Sequence, residues 1–120
     1  MLRIPTKAKP EQILDFWLKL KSDNEKGDPY WESEEEIKHF VYQNFDGFPG
    51  VNEIEVFTPN MNKSELYQVT WTFFKRYGKR KTKRQYENLL LKNITQFKNA
   101  RNVYSNIKDQ FNNNLKRIFQ

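Results

Sequence analysis

The chain has 120 residues and no cysteine, so neither a disulfide framework nor a cysteine-ligated zinc site can hold it together. It has a single histidine, His39, which excludes a histidine-rich metal centre or a relay between histidines. Its four glycines form no phosphate loop of the Walker or dinucleotide type, and no serine stands in a Gly-x-Ser-x-Gly turn. No apolar run approaches the roughly 20 residues that a membrane-spanning helix needs. Met1-Leu2-Arg3-Ile4-Pro5 leads into lysine and glutamate instead of an apolar stretch, so no secretory leader is expected. The expectation is an intracellular protein, cytoplasmic or associated with a nucleoid or nucleus, with no membrane contact and no cofactor.

What is present is aromatic and basic. Ten Phe, six Tyr and three Trp suffice for one core, so residues 1–120 are read as a single domain. The net charge of +6 is unevenly placed. Residues 1–66 hold eight bases against thirteen acids, a net of −5, whereas residues 67–120 hold thirteen bases against Glu87 and Asp109, a net of +11. The densest stretch, Lys75-Arg76-Tyr77-Gly78-Lys79-Arg80-Lys81-Thr82-Lys83-Arg84, carries seven positive charges and no acid.

Two short helices are predicted first. Pro10 suits a first helical turn, and Ile13, Phe16, Trp17 and Leu20 follow at spacings of three and four. Ser33 and Glu36 have capping-box spacing ahead of a stripe of Ile37, Phe40, Val41 and Phe45. Then the period changes. Ile54, Val56 and Thr58 alternate with Glu53, Glu55 and Phe57. Tyr67, Val69, Trp71 and Phe73 alternate with Gln68, Thr70 and Thr72. Alternation of β-branched and aromatic residues predicts a β-hairpin with strands at about 53–58 and 65–74. The competing possibility is a helix over 64–77 with Leu66, Thr70, Phe73 and Tyr77 on one face, closed by Gly78.

From Thr82 the pattern is helical. Tyr86, Leu90, Ile94, Phe97, Ala100, Tyr104, Ile107, Phe111, Leu115 and Ile118 recur at a mean spacing of about 3.6 residues. One helix over 82–118 would be about 54 Å long, so it must protrude, pair with another chain or break. The expected break is near Asn99-Ala100-Arg101-Asn102. The fold class expected is therefore α+β, with two N-terminal helices, a hairpin and a long or once-broken C-terminal helix; the alternative is all-α.

For function, Lys75, Arg76, Lys79, Arg80, Lys81, Lys83 and Arg84 point to phosphate contacts, because clustered cations release the counterions condensed on DNA or RNA. Tyr77 within the cluster could stack on a base, and Gly78 could let the backbone approach a phosphate. The alternative is an assembly or adaptor protein whose stripe of Leu90, Ile94, Phe97, Tyr104, Ile107, Phe111, Leu115 and Ile118 docks on another chain or on a second copy as a coiled coil. Eight Asn between Asn88 and Asn114 could read adenine, although an A/T-rich coding sequence would enrich Asn equally.

No catalysis is expected. The nearest chemistry is Asp46 with Glu53 and Glu55, which resembles the carboxylate set of metal-dependent nucleases, but Glu55 stands where such a motif carries lysine. Trp31 with Glu34, Glu35 and Glu36, followed much later by the Gly78–Gln85 stretch running into a helix, resembles pieces of Myb/SANT-type DNA-binding repeats. Those pieces are short and far apart, and no residue roles are carried over from them.

Overall fold

The computed structural model describes residues 3–101, 103–107 and 112–120, and among these the protein is helical. The helices are α1 (Pro10–Leu18), α2 (Glu34–Asn44), α3 (Lys63–Tyr77), α4 (Lys83–Asn93), α5 (Val103–Asn106) and α6 (Asn113–Ile118), with single 3-10 turns at Lys19–Lys21 and Thr95–Phe97. The described residues contain isolated β-bridges but no strand or sheet. The expected α+β class with its hairpin is thus overturned, and the described residues are predominantly all-α.

The two N-terminal helices form where the pattern placed them. Pro10 opens α1, and the side chain of Gln12 accepts from the Lys9 N–H at 2.9 Å. Ser33 caps α2 by accepting from the Glu36 N–H at 3.2 Å. Glu36 does not complete a capping box: its carboxylate accepts from the Trp31 indole at 3.0 Å.

The segment expected as the second strand is α3. Its start is fixed by a reciprocal box, in which Asn62 accepts from the Glu65 N–H at 2.8 Å while the Glu65 carboxylate accepts from the Asn62 N–H at 3.0 Å. Leu66, Val69, Thr70 and Phe73 are buried at helical spacing. Strand propensity yields here because one helical face supplies more burial than an exposed hairpin could. Phe73, fully enclosed, meets Phe16, Trp17 and Phe45 at ring-centroid distances of 5.0, 5.5 and 5.0 Å, with Tyr86 at 6.1 Å.

The segment expected as the first strand has no strand partner. Ile54 and Val56 are exposed, and only Phe57 is buried, bridged to Ile94. Its backbone is instead held by Gln43, whose side chain donates to the Glu55 carbonyl and accepts from the Glu55 N–H at 2.9 and 2.8 Å.

The C-terminal region is not one rod. Helix α4 stops at Asn93, where the Phe57 N–H donates to the Asn93 carbonyl and the Thr95 N–H to the Phe57 carbonyl. Those bonds divert the chain into the 3-10 turn. Asn99 then takes a left-handed φ of 68°, so the chain also turns where the Asn-rich break was expected. Folded back in this way, the chain has a radius of gyration of 13.2 Å. Among the described residues no helix is long and apolar enough to cross a membrane.

Candidate nucleic-acid interface

The basic segment occupies the end of α3, a turn, and the start of α4. The turn is held by the N-terminal segment. The Lys7 N–H donates to the Tyr77 carbonyl at 2.8 Å, and Thr6 bridges Gly78. The N-terminal segment is itself anchored on α2, through the Ile4 N–H to the Asn44 carbonyl at 2.7 Å and the Asp46 N–H to the Ile4 carbonyl at 3.0 Å. Inside the turn, the Thr82 hydroxyl donates to the Lys79 carbonyl at 2.7 Å, and Lys81 takes a left-handed φ of 70°. Gly78 lies against Phe74, and a Cβ there would collide with the Phe74 ring and come within 2.5 Å of its carbonyl oxygen. Its missing side chain therefore serves the turn.

The seven cations divide into two groups. Lys75, Lys79, Arg80 and Lys81 are exposed and have no ion-pair partner among the described residues. The other three are engaged. Arg76 donates to the Phe119 carbonyl at 2.5 Å and lies 5.6 Å from the Phe16 ring centroid. Lys83 lies 5.2 Å from the centroid of Trp71, and Arg84 approaches Glu87 at 3.9 Å. Tyr77 is half-buried, with its ring 5.5 Å from Phe73 and 6.5 Å from Phe16.

Helix α4 begins against its own dipole. Its first turn contains no acid, and Thr82 makes no side-chain cap. Lys83 and Arg84 stand where negative side chains are favoured. The N-terminus of α4 thus adds partial positive charge to the cationic turn.

Two of the acids at 32–36, Glu34 and Glu36, have other partners. Glu34 pairs with Lys21 at 3.1 Å and Lys38 at 3.2 Å, and the hydrogen bonds from those ammonium groups hold its carboxyl below the usual carboxylate range. Asp46, Glu53 and Glu55 are exposed, and among the described residues no group of three acids or histidines could hold a metal ion. His39 is half-buried, its Nε2 2.9 Å from the Glu53 carbonyl.

The apolar stripe of the C-terminal region faces the protein's own core. Leu90, Ile94, Phe97, Ile107 and Leu115 are buried and Ile118 is half-buried, while Phe111 and the Tyr104 side chain lie outside the described residues. Three of the Asn are structural: Asn93 is enclosed between helices, Asn112 caps α6, and Asn114 donates to the Tyr30 hydroxyl at 2.7 Å.

One feature was hidden by the strand expectation. Gln68, Trp71, Thr72 and Lys75 share a face of α3, and with Phe119 and Lys116 they line a cavity of about 410 Å³. Their spacing of three, one and three is a helical-face signal that alternation obscures. A larger cleft of about 620 Å³, lined by acids and amides including Glu25, Asp28, Glu65 and Asn112, lies elsewhere. No protein-family model, curated protein or solved structure matches this chain.

Proposed function

We propose that this protein is a non-catalytic nucleic-acid-binding module that contacts the phosphate backbone through the turn between α3 and α4. The observation that carries this reading is the exposure of Lys75, Lys79, Arg80 and Lys81 on that turn and the adjoining helix end, with no ion-pair partner among the described residues. Clustered cations left unpaired in the folded protein bind a polyanion by displacing its condensed counterions. The α4 start adds support: basic residues at a helix N-terminus weaken the helix, so their placement favours an external anion over stability. Contacts of this kind position a backbone without selecting sequence, so binding is salt-steep and weakly sequence-selective.

The test is binding of generic DNA and RNA at two salt concentrations by the protein and by Lys79→Glu/Arg80→Glu. These two side chains are exposed and unpaired, so the variant keeps its helical circular dichroism while losing affinity at low salt. A folded variant that binds as tightly as the parent would refute the reading.

A further inference from the structure

We propose that the cavity between α3 and the end of α6 receives an unpaired nucleobase, so that the polymer held by the basic turn is single-stranded. This rests on the phosphate-contact reading above and specifies its ligand. The cavity, about 410 Å³, falls within the ordinary range of small-ligand sites. Its walls include the aromatic residues Trp71 and Phe119, and its rim carries Lys75, Arg76 and Lys116. None of its described lining residues is acidic.

Two lining residues each hold a buried polar atom without a hydrogen-bond partner among the described residues. These are the Oε1 acceptor of Gln68, a residue only 4% exposed, and the Nε1 donor of Trp71. Buried polar atoms are normally paired, and an acceptor and a donor left over on two residues that line one cavity point to a ligand with both kinds of group. A nucleobase edge presents both donors and acceptors, and its flat face suits aromatic walls. In a duplex that edge is already paired and the base is stacked, so only an unpaired base can enter.

Continuity with the turn is direct. Lys75 belongs both to the cavity rim and to the exposed cations, and with Arg76, its neighbour on the rim, it begins the run that leads into the turn. A strand whose phosphates lie along Lys75, Lys79 and Arg80 therefore passes the cavity mouth.

The experiment compares four fluorescent oligomers of equal length and phosphate number: single-stranded DNA, single-stranded RNA, duplex DNA, and a single strand made abasic at every position. The abasic strand keeps the phosphates and removes only the bases. The intact single strands should bind about tenfold or more tighter than the abasic strand, the scale expected for capture of one base. The DNA and RNA arms show whether the sugar matters. Thr72→Trp, which fills the cavity, should reduce intact strands to the abasic level while leaving abasic and duplex binding unchanged.

Equal binding of intact and abasic strands by the parent protein would overturn the base site, and this comparison needs no variant to fold. Retention of the preference by folded Thr72→Trp would overturn it as well. In either case intact salt-dependent binding would leave the phosphate reading standing. If none of the four oligomers bound at low salt, the phosphate reading itself would fall.

Discussion

The side chain of Asn44, the last residue of α2, donates to Oδ1 of Asn93, the last residue of α4, at 3.0 Å. Gln43 donates to the same oxygen, and the Asn93 amide donates to the Leu89 carbonyl at 2.8 Å. Asn44 also donates to the Phe40 carbonyl at 2.8 Å. Two helix ends and the 53–57 segment are thus fastened through one enclosed amide cluster. A polar network in a low-dielectric interior rigidifies a fold when it is satisfied and is costly when broken.

Asn93→Leu should therefore be among the most damaging single changes in the protein. It leaves the buried Gln43 and Asn44 amides each short of one partner and removes the side-chain tie between α4 and α2. The expected loss is roughly 2–4 kcal/mol, measured by urea unfolding. Adding Asn44→Leu to Asn93→Leu should cost less than the two single losses combined, because the partners share one bond. Strict additivity would mean that the network is not a unit.

Gly78→Ala tests the turn. The added methyl meets the Phe74 ring and carbonyl, and the carbonyl belongs to backbone already holding the Gly78 N–H at 2.7 Å. Overpacking of this kind costs about 1–3 kcal/mol. Phe74→Leu relieves the ring clash but not the backbone one, so Phe74→Leu/Gly78→Ala should recover only part of the loss. Thermal unfolding that left Gly78→Ala unchanged would show that the helix end adjusts freely.

Much of this was legible in the sequence, and the rest was hidden for two different reasons. Helices α1 and α2 were readable because Pro10, Ser33 and their apolar stripes agree on period and start. Helix α3 is hidden in the sequence because Tyr67, Val69, Trp71 and Phe73 also satisfy an alternating pattern, while the Asn62–Glu65 box that starts it is a short-range cue outside that pattern. The breaks after α4 depend on Phe57 and Gln43, far away in sequence, and no local pattern encodes them. The cationic turn was fully legible, since charge needs no fold to be counted. What needed the fold was the division of its members into free and engaged, and the cavity beside them.

Tyr86 gives a pH-dependent prediction. Its hydroxyl is buried without a hydrogen-bond partner among the described residues, and burial raises its pKa above the ordinary tyrosine value. The folded state therefore holds the proton more tightly than the unfolded chain, whose tyrosine titrates near pH 10. This contribution is fully present below about pH 10 and is lost as pH rises above it, because the unfolded state alone gains by ionising. Tyr86→Phe removes that term and the orphan hydroxyl together. It should stabilise the protein by about 1 kcal/mol at neutral pH and flatten its alkaline loss relative to the parent. Greater destabilisation of Tyr86→Phe than of the parent on raising pH from 9 to 11 would contradict the assignment.

Arg76 and Lys79 are both members of one basic run, yet Arg76 is engaged with the fold and Lys79 is exposed. Arg76 fastens the end of α6 through the Phe119 carbonyl and lies over the Phe16 ring, so its loss is felt in the fold. Arg76→Ala should lower stability by about 1–3 kcal/mol, in line with the loss of a hydrogen bond from a charged group. Lys79 makes no such contact among the described residues, and Lys79→Ala should change stability by no more than about 0.5 kcal/mol, as exposed substitutions do. Binding should separate them the other way. If Lys79 neutralises a phosphate, its removal lowers the slope of log affinity against log salt by about 0.7 on single strands, whatever the sequence bound. Arg76→Ala, measured where the variant is fully folded, should move the slope less. A larger slope change for Arg76 than for Lys79 would reverse the division and place the phosphate path across the cavity rim instead of the turn.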